Sequence, residues 1–239
     1  MKIVPLRKPA PPDILSEARY ASGFGCIRCG CTIVRYYTAQ RDDGVSSLNQ
    51  TPFLVCPTCV DVFSGGISDA AFAAIHSRPV AVQREFDHSR LPYLPAQRGL
   101  DIPDITLSSG ITMHGTGIPI VFGGVPVIVV VPPEIPGGAI RISAVLGDSN
   151  GPPTRVIETN EWMAEPGWSF SQGGRRYQIR RSDRAWLELS FHPRTGISIE
   201  ELRTCVGGRV LTIDETGARV DGAAVFFPSA SARVIGVTL

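Results

Sequence analysis

The sequence predicts an α+β fold in which a small cysteine-rich unit is followed by a mostly antiparallel β domain. Four of the six cysteines form two Cys-x-x-Cys pairs between residues 24 and 63. After residue 105, short apolar runs alternate with turn residues, as expected for successive short strands. The 25 glycines and 20 prolines also favour short strands and turns over long helices.

Length and charge limit the function classes. The 239 residues, of which 43% are hydrophobic, suffice for one large or two ordinary domains. The 23 basic residues balance the 22 acidic ones, so no net field draws the chain to nucleic acid or to a membrane. The N-terminus lacks the apolar segment of a signal peptide, and the most apolar run, Ile118 to Val131, is too short to span a bilayer. We therefore expect a cytoplasmic protein, in whose reducing compartment paired cysteines bind metal more often than they form disulfides.

An extended leader and a short helix are predicted before the first cysteine pair. Four prolines keep the first twelve residues extended. Asp13 is the expected cap of a helix that ends at Gly23, because the following apolar residues are spaced to share one side. These apolar residues are Ile14, Leu15, Ala18 and Ala21.

The two cysteine pairs predict a structural zinc site with four ligands: Cys26, Cys29, Cys56 and Cys59. Each pair forms a tight knuckle that offers two sulfurs to one tetrahedral ion. Gly30 follows the first pair, where the backbone of a knuckle often needs a positive φ. Two buried thiol pairs, or two redox sites, are the alternative.

The remaining two cysteines have no partner by spacing. Cys31 lies next to the first knuckle, where it is a candidate substitute ligand. Cys205 is expected to be a small buried core residue.

Between and after the knuckles the sequence predicts one strand and one helix. The strand covers Thr32–Tyr37, and Phe53–Val55 leads into the second knuckle. The helix covers Ala70–His76, with Ser68 as its cap and Asp69 at the positive end of its dipole.

The cysteine-rich segment resembles the HNH endonucleases, a family built on a ββα-metal motif, and in particular bacterial members in which an HNH unit precedes a β-rich domain. The resemblance implies a catalytic His at the end of the strand after the first knuckle, and a metal-binding His directly after the last cysteine. In this sequence the two positions are Thr38, with Tyr37 beside it in place of an acidic residue, and Val60. Threonine is no base near neutral pH and valine cannot bind a metal, so the resemblance implies a degenerate unit with structural zinc and no catalytic residues.

Three function classes follow from the resemblance. The first is a non-catalytic interaction or assembly module that binds a protein partner or another copy of the chain. The second is a nucleic-acid binder of modest, salt-sensitive affinity, because residues 1–104 hold about as many acids as bases. The third is an active metal-dependent endonuclease that uses other residues in new roles, namely Asp42, Asp43, Asp61, His76 or His88. No membrane partner is expected.

The predicted domains are an HNH-like zinc-knuckle domain at 1–76, a proline-rich linker at 77–104 and a β-rich domain at 105–239. The strand signals in the β domain include a buried strand at Val125–Val131 and a hairpin formed by Arg141–Leu146 and Thr154–Glu158. Ala185–Phe191 alternates, with Trp186, Glu188 and Ser190 on one face and three apolar residues on the other. A β-sandwich is the first choice of architecture and a short β-roll the second.

Arginines form a dense cluster in the β domain, at positions 175, 176, 180, 181 and 184. One interpretation is a surface that binds phosphate. The other is the solvated face of a hairpin, balanced by nearby acids. His114 and His192, in the same domain, are expected to be surface histidines.

Overall fold

The computed structural model describes residues 2–6, 10–40, 51–82, 102–115, 117–134, 139–149, 151–181, 185–192, 196–225 and 235–238. The chain divides into two compact units, Met1–Pro92 and Tyr93–Leu239. Within the described ranges every helix lies in the first unit, and the second unit is built from strands. The protein is therefore α+β with mostly antiparallel sheets. None of the helices in these ranges is long and apolar enough to cross a membrane.

The first unit contains one small antiparallel sheet and three helices. The sheet has the order β1 (Lys2–Pro5), β2 (Arg35–Gln40), β3 (Phe53–Val55). The helices are α1 (Pro12–Ala21), α2 (Pro57–Ser64) and α3 (Asp69–Ser77), followed by a 3-10 turn at Val80–Val82.

Three aromatic rings from β3, α2 and α3 pack together in the first unit. Phe72 of α3 lies edge-on to Phe53 of β3 and to Phe63 of α2, with ring centroids 5.1 and 6.3 Å apart. All three side chains are buried. Burying each ring contributes roughly 2 kcal/mol, so these contacts hold both helices close to the sheet.

The structure corrects two details of the sequence prediction in this unit. The strand predicted at Thr32–Tyr37 is displaced to Arg35–Gln40, so Thr38 lies inside the strand and is paired with Val4 of β1. Asp13 does not cap α1, because the helix begins at Pro12, whose ring already supplies a helical φ and which needs no partner for an N–H group. Asp13 instead lies in the first turn.

The helix predicted after Ser68 is confirmed, and one helix was not predicted. The Ser68 hydroxyl accepts a hydrogen bond from the backbone N–H of Ala71, at 3.2 Å, as a helix cap does. The additional helix is α2, which begins directly after Cys56 with Pro57 at its first position. The sequence of this segment predicts only the second knuckle.

The second unit contains fifteen strands among its described residues. They are β4 (Ile105–Leu107), β5 (Thr112–Met113), β6 (Ile118–Phe122), β7 (Val125–Val131), β8 (Arg141–Leu146), β9 (Thr154–Glu158), β10 (Glu161–Trp162), β11 (Ser169–Gly173), β12 (Arg176–Arg181), β13 (Ala185–His192), β14 (Gly196–Val206), β15 (Arg209–Asp214), β16 (Gly217–Val220), β17 (Ala223–Val225) and β18 (Ile235–Thr238).

These strands form two sheets. One has the order β10-β9-β8-β7-β6-β18, and the other runs β11-β12-β13-β14-β15-β16-β17 with β4 beside β14 and β5 beside β4. The pairings β4–β14 and β6–β18 are parallel, and the others are antiparallel. The predicted strand at Val125–Val131 and the predicted hairpin are confirmed as β7 and as β8 paired with β9.

A backbone contact between Gly147 and Cys205 joins the two sheets. The Cys205 N–H donates a 2.8 Å hydrogen bond to the carbonyl of Gly147, and the Gly147 N–H donates to the hydroxyl of Thr204 at 2.9 Å. A Cβ at position 147 would lie 2.1 Å from the carbonyl oxygen of Cys205. Only glycine therefore allows β8 to end against β14.

The alternation predicted for β13 is present, but its polar face is not open to solvent. Glu188 and Ser190 are each only 8% exposed. Glu188 is held by Arg176 of the neighbouring strand at 3.0 Å and accepts a hydrogen bond from Gln178. Because β13 lies between β12 and β14, long side chains of its neighbours cover this face.

Most of the linker predicted at 77–104 lies outside the described residues. Its last residues, 102–104, lead into β4, and the Asp104 carbonyl accepts a hydrogen bond from the N–H of Ile197 at 2.8 Å. Gly196 allows this approach, because a Cβ there would lie 1.9 Å from that carbonyl oxygen.

Candidate metal centre

The four predicted cysteines form one cluster. The Sγ atoms of Cys26, Cys29, Cys56 and Cys59 all lie within 4.8 Å of one another. Three of the side chains are buried, Cys29 is partly exposed, and none forms a disulfide. Sulfurs that bind one tetrahedral ion at about 2.3 Å are separated by about 3.8 Å. The cluster is close to this size and composition, so its donors fit a single tetrahedral ion.

The first knuckle is a tight turn closed by backbone hydrogen bonds. The Cys26 N–H donates to the carbonyl of Cys31, and the Gly30 N–H donates to the carbonyl of Cys26, each at 2.8 Å. Gly30 has a φ of 75°, as predicted from its place in the sequence. Gly25 is equally constrained, since a Cβ there would lie 2.5 Å from the carbonyl oxygen of Gly30. This geometry turns the sulfurs of Cys26 and Cys29 to the same side.

The second knuckle is the first turn of α2. Cys56 occupies the N-cap position, and its carbonyl accepts hydrogen bonds from the N–H groups of Cys59 and Val60, at 3.0 and 3.1 Å. Residues three apart on a helix lie on neighbouring positions of one face, which places the Cys59 sulfur beside that of Cys56.

A backbone hydrogen bond between the knuckles brings the two cysteine pairs together. The Ile27 N–H, inside the first knuckle, donates to the carbonyl of Leu54 on β3, at 3.0 Å. Since Leu54 is two residues before Cys56, this bond fixes the first knuckle beside the start of the second. The Sγ atoms of Cys29 and Cys56 are 3.6 Å apart as a result.

Arg28 is a cationic neighbour of the cluster. Its Nη1 donates a hydrogen bond to the Sγ of Cys59, at 3.6 Å. This bond is the largest cause that raises the pKa of the Arg28 guanidinium above its ordinary value. Arg28 belongs to the first knuckle, whereas Cys59 is the third residue of α2 and belongs to the second knuckle.

The close sulfurs divide their protons unequally. Hydrogen bonding from Cys26 is the main cause that lowers the pKa of Cys59 far below its ordinary value, and Arg28 adds to the effect. Hydrogen bonding with Cys26 is also the main cause that raises the pKa of Cys56. A metal-free cluster therefore favours thiolate at Cys59 and thiol at Cys56. A divalent ion bound among these sulfurs would displace the shared protons.

The other cysteines do not complete the cluster. Cys31 is buried beside Cys56 and donates to the carbonyl of Ile33 at 3.6 Å, but it is not one of the four mutually close sulfurs. Cys205 is buried in β14 of the second unit, as predicted for a core residue.

The two positions at which the HNH resemblance implies histidines, Thr38 and Val60, carry no imidazole. Thr38 is buried within β2, Tyr37 is buried beside it, and Val60 lies in the second turn of α2. Burial is the main cause that raises the pKa of the Tyr37 phenol, so this group is not a base at neutral pH. Asp61 is exposed.

A second metal cluster is not found in the part of the chain that the structure describes: the four cysteines are its one group of three or more His, Cys, Asp or Glu side chains close enough to share an ion. Asp42, Asp43 and His88 lie outside the described residues. His76 is exposed on α3 and stacks on the ring of Phe72, with centroids 5.5 Å apart.

The two histidines of the second unit are exposed, as predicted. His114 Nδ1 lies 2.8 Å from a carboxylate oxygen of Asp104, and His192 Nε2 lies 3.9 Å from Glu200.

The described arginines of the predicted β-domain cluster do not form a single surface, and Arg184 lies outside the described residues. Arg176 and Arg180 lie on one face of β12, and Arg181 lies on the opposite face. Arg176 pairs with Glu188, and Arg181 lies 3.3 Å from Asp148 and over the ring of Trp168. This arrangement favours the interpretation as a charge-balanced hairpin.

Fold and site define a class: a two-unit α+β protein with a four-cysteine candidate metal centre in its helical unit and antiparallel sheets in the other. No family model, no curated protein and no solved structure matches the chain.

Proposed function

We propose that the cysteine cluster binds one structural Zn²⁺ and that the first unit is an HNH-like module without a catalytic centre, which serves in interaction or assembly. The observation that carries the proposal is the contrast within one small unit. Four sulfurs converge on one point, while Thr38 and Val60 occupy the positions where the resembling family has histidines. We take the second unit to be a β-sandwich that binds the protein partner or another copy of the chain.

Zinc is the ion that the donor set favours. Four thiol groups with no oxygen or nitrogen donor exclude the hard cations Mg²⁺ and Ca²⁺, which prefer oxygen. Zinc and iron are the metals usually bound by four sulfurs. Two Cys-x-x-Cys knuckles that offer four sulfurs to one ion are typical of a closed structural zinc site, in which no position remains for substrate.

The described residues of the first unit offer no positioned base for hydrolysis. Phosphodiester cleavage by this type of fold requires a group that activates water and an open metal that stabilises the developing charge. Thr38 supplies no base, and the Tyr37 phenol has a raised pKa. Asp61 is a single exposed carboxylate. A lone carboxylate neither holds a catalytic ion firmly nor orients a nucleophile.

The charges favour a protein partner or another copy of the chain over nucleic acid. Arg28 is committed to Cys59, and Arg176 and Arg181 are committed to carboxylates. Binding to a phosphate backbone requires several cations that are free to displace counterions.

The nuclease alternative is tested with supercoiled plasmid. Zinc-loaded protein is incubated with plasmid in Mg²⁺ or Mn²⁺, and nicking is followed on gels. We expect no cleavage above a buffer control. Nicking that disappears in the Asp61→Ala variant contradicts the proposal.

Binding is tested separately. Fluorescence anisotropy with a labelled DNA duplex is measured at about 50 and 200 mM salt, a range over which several phosphate contacts change affinity strongly. Light scattering over a range of protein concentrations reports self-association. We expect weak DNA binding. Tight, salt-dependent DNA binding by a monomer would instead favour a nucleic-acid binder.

A further inference from the structure

We infer that Arg28 controls how firmly the cysteine cluster retains its metal, by donating a hydrogen bond to the sulfur of Cys59 from the opposite knuckle. The inference rests on the proposed zinc site and adds a positioning residue to it. Arg28 acts on the metal only through Cys59.

The contact links the two halves of the site. Arg28 lies between the two cysteines of the first knuckle, whereas Cys59 is the second cysteine of the second knuckle and lies 31 positions later. The hydrogen bond from Nη1 to Sγ therefore crosses the cluster, at 3.6 Å. Loss of the guanidinium would remove a contact that resists separation of the knuckles.

The negative charge of a zinc-loaded site would strengthen the hydrogen bond between Arg28 and Cys59. Four thiolates around one divalent zinc carry a net charge of −2. A guanidinium next to one sulfur offsets part of that charge and withdraws electron density from a thiolate that zinc already keeps deprotonated, which lowers its nucleophilicity. No carboxylate lies within ion-pair distance of Arg28 in the described residues, so the sulfur is its charged partner there.

The four sulfurs should consequently differ in reactivity. Cys29 is partly exposed, and the other three are buried. Cys59 is the sulfur that accepts the Arg28 hydrogen bond. An electrophile should therefore react first with Cys29 and last with Cys59. Without the Arg28 guanidinium, Cys59 should react earlier.

The test measures zinc release from purified, zinc-loaded protein. N-ethylmaleimide is added, so that a thiolate forms an S–C bond with the maleimide, the zinc–sulfur bond breaks, and water supplies the proton to the other carbon. A chromophoric chelator reports the freed zinc, and mass spectrometry of peptides gives the order in which cysteines are modified. The variants are Arg28→Met and Arg28→Lys. The matched control is Arg35→Met, which removes an exposed arginine of β2.

Loss of a residue that supports a metal ligand typically weakens the site by about tenfold or more. We expect Arg28→Met to release zinc about tenfold faster than the wild type, with Cys59 modified early. Arg28→Lys should be intermediate, because it keeps the charge, and Arg35→Met should match the wild type.

Equal release rates for Arg28→Met and wild type would overturn the inference, as would equal acceleration by Arg35→Met. If Arg28→Met does not fold, the Arg28→Lys rate and the order of modification in the wild type decide. The zinc content of wild-type protein is measured beforehand. Its absence would contradict the proposed function, whereas zinc that is present but insensitive to Arg28 would contradict this inference alone.

Discussion

The sulfur atoms of Cys29 and Cys56 lie 3.6 Å apart, although 27 positions separate the two residues in the sequence. The hydrogen bond from Ile27 to Leu54 holds the two knuckles side by side, and α2 begins at the second of them. The cluster therefore brings together cysteines from both ends of the segment between Cys26 and Cys59. A metal bound there would stabilise the first unit directly, because the unfolded chain has no preformed site.

Replacing Cys56 should remove the metal and unfold the cysteine-rich segment. Cys56→Ser takes away one of four sulfurs and leaves three close sulfurs without a bound cation, so we expect loss of zinc and loss of structure in residues 24–63. Hydrogen exchange resolved by peptide and zinc analysis check this. The control is Cys205→Ser, in the second unit, which should keep its zinc. Protection of residues 24–63 that survives in Cys56→Ser would contradict the prediction.

A methyl group at position 25 should disrupt the first knuckle. The Cβ of Gly25→Ala would lie 2.5 Å from the carbonyl oxygen of Gly30, so either the turn opens or the Cys26–Cys31 hydrogen bond is lost. We expect zinc affinity to fall by at least about tenfold, in competition with a chelator.

The matched control for this substitution is Gly65→Ala. That glycine has a φ of −68° and its nearest contacts would be 3.6 Å away. Alanine there should leave the affinity unchanged, and equal losses in both variants would mean that the tight turn is not the cause.

Zinc retention should fall as the pH falls. The metal-free cluster keeps protons on Cys29 and Cys56, because hydrogen bonding with Cys26 is the largest cause that raises the pKa of each thiol. Zinc has to displace these protons, so acid favours the metal-free form. With about two protons displaced, the apparent affinity should fall about 100-fold for each pH unit. Chelator competition between pH 8 and 6 measures the slope, and an affinity independent of pH would contradict this account.

Asn160 should be important for the stability of the second unit. It adopts a φ of 71°, its side-chain oxygen accepts from the N–H of Ile142 at 2.7 Å, and its amide donates to the carbonyl of Ile140 at 2.8 Å. Both bonds are buried, so Asn160→Ala should lower the free energy of unfolding by about 2–3 kcal/mol.

Urea unfolding followed by tryptophan fluorescence measures the effect of Asn160, since all three tryptophans lie in the second unit. Ser143→Ala is the comparison. It removes an exposed hydrogen bond to the N–H of Thr159 and should cost about 0.5–1 kcal/mol. If both variants lower the free energy of unfolding equally, burial of the Asn160 hydrogen bonds does not increase their contribution to stability.

Local sequence signals predicted the features that depend on neighbouring residues. Two residues between the cysteines of each pair suffice to form a knuckle, and the positive φ of Gly30 follows from the same turn. The Ser68 cap and the β8–β9 hairpin also depend on residues close in sequence. The HNH resemblance stays a prediction.

Features that depend on distant contacts were not predictable from the sequence. Thr38 lies within β2 because β1, more than thirty positions earlier, pairs along it. Glu188 is buried because two other strands flank β13. The contact between Arg28 and Cys59 requires both knuckles to be placed. An arginine between the two cysteines of the first knuckle is the one sequence signal for that contact, and it does not identify the sulfur that the arginine contacts.

The metal content of the purified protein tests the central claim most directly. Elemental analysis of protein prepared without added metal should find about one zinc per chain. Each of four single variants should lose this zinc: Cys26→Ser, Cys29→Ser, Cys56→Ser and Cys59→Ser. The Cys205→Ser variant should retain it. A folded wild-type protein that contains no zinc, with all four thiols free to react, would contradict it.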